Sequence, residues 1–177
     1  DYIDNKLDKV QVNGMASSLY HVIDDSLLKG INEVSGDSII FLFDNEELSK
    51  IKVSGGGKGL YTPEFENSNI DSIINYFAEK IDYDIANNIN HFYQSGSIQY
   101  QDTELNADYM EIDWDTNKLN SYKINDTQPV VKTDRNSSPM VGDTIYFDLI
   151  SKIGMINKGR TELNNAFYHG HEIVHDD

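Results

Sequence analysis

The stretch "GDSIIFLFDNEELSKIKVSGG", Gly36 to Gly56, is nearly rewritten about a hundred residues later as "GDTIYFDLISKIGMINKGR", Gly142 to Arg160. Both open on a small residue and an acidic one, pass a variable position, run through alternating apolar residues and stop at Asp. The frame recurs as "AEKIDYD" at Ala78 to Asp84 and "ADYMEIDWD" at Ala107 to Asp115, with a weaker copy "ASSLYHVID" at Ala16 to Asp24. Alternation of period two marks a strand with one buried face. Each copy leads through a turn into a second strand that ends near a glycine: Leu28 and Gly30, Ile51 to Gly55, Phe92 to Gly96, Met155 to Gly159. A two-stranded unit cannot bury its own apolar face, so such units must stack on a shared core. The predicted fold class is all-β: stacked antiparallel β-hairpin repeats forming a jelly-roll around an apolar interior slot.

Aligning the copies puts Ile39, Phe41 and Phe43, then Ile81 and Tyr83, then Met110, Ile112 and Trp114, then Ile145, Phe147 and Leu149 on one inward phase. Asp82, Glu111 and Asp113 fall on the outer phase. The inward residues have two readings, an ordinary dry β core or an open channel that takes a lipid. Asp44-Asn45, Asn87-Asn88, Asp115-Thr116-Asn117 and Asp24-Asp25 supply the chemistry of hairpin turns. The apolar spacing of Asn69 to Lys80 also fits a helix, which competes with a strand from Ala78. Residues 125–139 hold two of the three prolines among Asn, Asp and Ser, and read as a longer loop or insertion.

At 177 residues the chain has the size of a single domain, and 11 Tyr with 7 Phe supply the aromatic surface of a folded one. A net charge of -16 repels phosphate backbones, which excludes nucleic acid as a partner. Cysteine is absent, removing disulfides and thiolate metal sites. No run approaches the roughly 18 apolar residues of a membrane-spanning helix. The expectation is a soluble chain whose export signal, if any, has been removed. The abrupt ends at Asp1 and "HGHEIVHDD" suggest a piece of a longer protein.

Several motifs invite a chemical reading. "HEIVH", His171 to His175, matches the zinc-protease pattern H-E-x-x-H. That pattern needs a helix, whereas two β-branched residues and Gly170 favour a strand, on which the histidines lie roughly 13 Å apart. "SGGGKGLY", Ser54 to Tyr61, lacks the Lys-Ser/Thr order of a phosphate loop and reads as a tight turn or bulge. "DWDTNKLNS" lacks the glycine of a calcium loop. No catalytic residue, metal ligand or cofactor site is nominated, and a zinc metalloprotease stays only a remote alternative.

"GDSIIFLFDNEELSKIKVSGGGKGLY" and "NADYMEIDWDTNKLNSYKI" resemble the OstA-like repeats of the lipopolysaccharide-transport family, which includes LptA and the periplasmic N-terminal domain of LptD. The resemblance runs from about Val12 to Ile173 and takes in "YQSGSIQYQDTELNADYMEID". "MVGDTIYFDLISKIGMINKGRTELNNAFYHGHEI" looks most like the segment by which LptD-type proteins approach their outer-membrane barrel. The resemblance implies a single jelly-roll domain over residues 1–177 whose inward phase touches acyl chains. It also implies a periplasmic location at the outer membrane of a Gram-negative bacterium, and a non-enzymatic role passing lipopolysaccharide or a related glycolipid. The implied partners are other jelly-roll proteins of the pathway, joined by edge-strand pairing, and a C-terminal barrel if the chain is LptD-like. A structural or adhesive β-repeat module without a lipid is the alternative.

Overall fold

The structure, a computed structural model, describes residues 2–3, 6–24, 26–134, 137–163 and 166–175. A small hairpin, β1 (Tyr2–Ile3) and β2 (Lys6–Leu7), precedes the main sheet. The sheet opens with three long strands, β3 (Lys9–Asp24), β4 (Leu27–Asp44) and β5 (Glu47–Pro63). It continues through β6 (Ile74–Asp84), β7 (Ile89–Tyr100) and β8 (Thr103–Asp113). Four short segments follow, β9 (Lys118–Tyr122), β10 (Val130–Lys132), β11 (Met140–Val141) and β12 (Thr144–Asp148), and then β13 (Gly154–Leu163) and β14 (Ala166–His175).

The short segments are halves of two interrupted strands. β9 and β10 both pair the edge of β8 not used by β7: β9 along Met110–Asp113 and β10 along Glu104–Asn106. β11 and β12 divide one edge of β13 in the same way. The sheet is therefore an uninterrupted antiparallel meander, from β3 at one edge to β14 at the other.

Every long strand breaks register near its middle, and the breaks line up across the sheet. On β3, β5 and β7 the break holds two residues of positive φ: Gly14-Met15, Gly55-Gly56 and Gln94-Ser95. Each pair lies opposite a single acid, Asp37, Glu79 or Asp108. A bulge of this kind bends its strand and tightens the local twist. The ladder between β13 and β14 skips the rung of Lys158, φ 48°, and His171. We call this line of breaks the crease.

The crease explains the recurring word. The small residue and the acid of Gly36-Asp37, Ala78-Glu79, Ala107-Asp108 and Gly142-Asp143 sit on it, so the frame is the half of a bent strand that leaves the crease. The small residue faces inward where the two arms converge: Ala78 and Ala107 are buried, and a Cβ on neighbouring Gly96 would come within 2.5 Å of the Met110 side chain. The acid faces the bulge, where Asp108 accepts a hydrogen bond from the Ser95 amide at 3.3 Å.

Three expectations need correction. The weaker copy at Ala16 to Asp24 runs the other way, toward the opposite rim, so it belongs to the return strands. Among the strands leaving the crease in the frame's direction is β14, whose "GHEIVH" places His171 where the other copies carry the acid. Asn69 to Lys80 is not helical, because Ile74–Asp84 pairs on both edges as β6. Residues 125–139 are not loop throughout, since Val130–Lys132 forms β10; the excess residues 123–129 lie at the crease, held by an Ile124–Thr127 bridge. "SGGGKGLY" is a bulge within β5, as expected. The turn at Asp24-Asp25 lies outside the described residues at Asp25.

Candidate functional site

Bending at the crease folds the sheet on itself, so each strand contributes an upper arm and a lower arm whose inner faces meet. Aromatic contacts across the gap give the registry of the layers. Tyr20 of upper β3 meets Tyr83 of lower β6 at 5.5 Å between ring centroids. Tyr61 of upper β5 meets Trp114 just past lower β8 at 4.6 Å, and Tyr100 of upper β7 meets Phe147 of lower β12 at 6.3 Å. The upper layer is thus shifted along the meander relative to the lower one, as two twisted sheets crossing at an angle must be.

The shift decides which inward residues are covered. Ile39, Ile81, Tyr83, Met110, Ile112, Trp114, Ile145, Phe147 and Leu149 are all buried in one cluster. Phe41 and Phe43 are half-buried, because lower β4 extends beyond the overlying layer. Val10 and Val12 of β3 share the inward face, opposite Phe41 and Ile39 in the ladder, yet are 38% and 41% exposed. The apolar interior therefore opens to solvent at the β3 end. Asp82, Glu111 and Asp113 occupy the alternate, outward register positions of the lower arms.

Sequence alignment of the frame misses the whole upper layer. Tyr61, Ile74, Tyr76, Ile98, Tyr100 and Leu105 are as buried as the lower residues. Their signal was present, since "SIQYQDTELNA" alternates like the frame, but these arms precede the repeated word.

Polar groups inside are satisfied. The Tyr76 hydroxyl donates to Asn32, and the Trp114 indole donates to Asn90 at 3.2 Å. Between the arms, Tyr20, Asn32, Tyr76, Tyr83 and Asn90 border a void of about 20 Å³, room for one water molecule. Burial pushes the phenol pKa values of Tyr76 and Tyr83 above their ordinary value.

Opposite the crease lies the mouth, where the rims of the two layers approach. The segment joining β5 to β6 crosses it near β7, burying Ile70. Asp71 ties this strap to both layers, accepting hydrogen bonds from the Tyr100 hydroxyl at 2.6 Å and the Lys152 ammonium at 2.9 Å. The Tyr100 bond and the Lys152 contacts hold the Asp71 carboxyl below the usual carboxylate range. Beside the strap the mouth stays open as a cleft of about 340 Å³ over the touching rings of Tyr61 and Trp114.

The "HEIVH" motif lies on β14, antiparallel to β13 from Glu172 opposite Asn157 to His175 opposite Gly154, so it lacks the helix a zinc protease requires. Among the described residues, no group of three or more His, Asp or Glu is placed to hold a metal ion.

No protein-family model matches the chain, and no curated protein matches it. Among solved structures it is similar to LptH, described as the LptA homologous periplasmic component of the conserved lipopolysaccharide transport device from Pseudomonas aeruginosa. The identity is 9% and the TM-score 0.48, over 62% of this chain and 84% of that one.

Proposed function

We propose that the chain is a non-enzymatic lipid conduit of the lipopolysaccharide-transport type, with acyl chains carried between the two arms of the folded sheet. The observation that supports this reading most directly is the open end. Val10, Val12, Phe41 and Phe43 continue the buried apolar row of the lower layer outward, on an inward-facing surface that the described residues leave partly exposed. Among the described residues no strand pairs the outer edges of β3 and β14, which suits these edges to strand addition by neighbouring jelly-roll proteins of the pathway. A periplasmic location at the outer membrane, and an LptD-like parent with its own barrel, belong to the same proposal.

The test is site-specific photo-crosslinking. Probes at Phe41, Ile81, Ile112 or Phe147 are expected to capture lipopolysaccharide, and probes at Asp82 or Glu111 are not. Equal capture from both faces would refute the conduit.

One observation favours a second reading, a structural or adhesive module with a closed core. The interior beyond the open end is filled by the chain's own side chains, with aromatic rings from both layers in contact. On that reading native mass spectrometry finds no bound lipid. On the conduit reading the arms part to admit it.

A further inference from the structure

The cleft beside the strap is built unlike the interior beneath it. Its floor is Tyr61 and Trp114, both members of the buried core, so the cleft is where the apolar interior reaches the mouth. Its walls are amides, from Asn67, Asn69, Asn88 and Asn117. Asn88 is held in place, its amide nitrogen donating to Asp115 at 2.8 Å while its oxygen accepts from the Tyr83 hydroxyl at 2.8 Å. Among the described residues, the charged groups lining it are one lysine, Lys29, and one carboxylate, Asp115.

We infer that this cleft seats the head of the amphipathic ligand and selects a hydroxyl-rich, uncharged sugar over a phosphate. The inference rests on the conduit reading, since it takes the ligand's chains to lie between the arms. Side-chain amides offer donors and acceptors side by side, which is what sugar hydroxyls need; a phosphate accepts only and calls for several cations. Among the described residues a single lysine lines this cleft, within a chain of net charge -16 whose field repels anions. The aromatic floor adds apolar contact for the face of a sugar ring and the first carbons of the chain.

Trp114 is the chain's single tryptophan and so reports directly on occupancy of the cleft. The experiment titrates the protein with dodecyl maltoside, dodecyl phosphate and dodecanol, each below its aggregation concentration, and follows Trp114 fluorescence. Dodecyl maltoside is expected to bind about tenfold more tightly than dodecyl phosphate, equivalent to two or three net hydrogen bonds. The exposed-wall variant Asn67→Ala/Asn69→Ala is expected to lose that preference while binding dodecanol as before. Equal affinity for the two headed probes, tighter binding of the phosphate, or a preference that survives in the variant overturns the headgroup assignment and leaves the conduit standing. Failure of all three probes to bind overturns the conduit and the assignment together.

Discussion

Burial in this molecule is set less by residue type than by place along the offset between layers. Ile112 and Phe41 occupy equivalent positions on two copies of one frame, yet Ile112 is fully buried and Phe41 only half-buried. Ile112→Ala leaves a cavity enclosed on all sides and is expected to cost about 2–5 kcal/mol in chemical denaturation. Phe41→Ala removes more atoms but from a ring already facing water. It is expected to cost less than about half of the 3–5 kcal/mol typical of an enclosed phenylalanine. A Phe41→Ala loss equal to that of Ile112→Ala would show that the open end is closed in solution.

The bent strand, not the hairpin, is the repeating element. Its bend depends on residues that accept positive φ, and Gly55 and Gly56 supply it on β5 at 77° and 71°. A Cβ on Gly56 would find its nearest neighbour at 3.8 Å, so Gly56→Ala carries the backbone term alone, about 1–2 kcal/mol. A Cβ on Gly55 would also press the Asp37 carboxyl at 2.5 Å. Gly55→Ala is therefore expected to cost more, with part of the excess recovered in Gly55→Ala/Asp37→Ala, a coupling that denaturation of the four-member cycle measures.

Much of this element is legible in the sequence. Alternation alone places Ile81, Tyr83, Met110, Ile112, Ile145 and Phe147 on one face, because a period of two is a local property of the chain. The meaning of the word that precedes them is not local. Whether Gly-Asp starts a strand or sits halfway along one depends on the register of the neighbouring strand, which alternation does not encode. The same limit hid the place of β14 in the array: "HEIVH" reads as a strand, but only the pairing with β13 shows His171 standing where the other copies carry the acid.

For the whole molecule, the phenols between and upon the layers tie stability to alkaline pH. Burial raises the pKa of Tyr61, Tyr76, Tyr83, Tyr93, Tyr100, Tyr109 and Tyr122. Hydrogen bonds to Glu111 add to the effect at Tyr109 and at Tyr122, which is pushed up to about 12. A raised pKa in the folded state means the unfolded chain loses its protons first, near its ordinary value of about 10. The contribution is complete below that pH and is lost as pH rises toward the folded values. The protein is expected to unfold cooperatively between about pH 10 and pH 12. Tyrosinate absorbance and loss of circular dichroism should then rise together; gradual ionisation of every tyrosine with the fold intact would contradict the burial described.

The meander has a consequence for how such a molecule changes size. Each main-sheet neighbour along β3 to β8 is also the next segment in the chain. A tandem duplication of one outgoing and one returning strand therefore inserts like an extra pair of staves, needing no rewiring on either side. Strands lie roughly 4.8 Å apart, so each duplication lengthens the body by about 10 Å and leaves its cross-section alone. Length in this architecture is a quantity that gene duplication can count out in fixed steps.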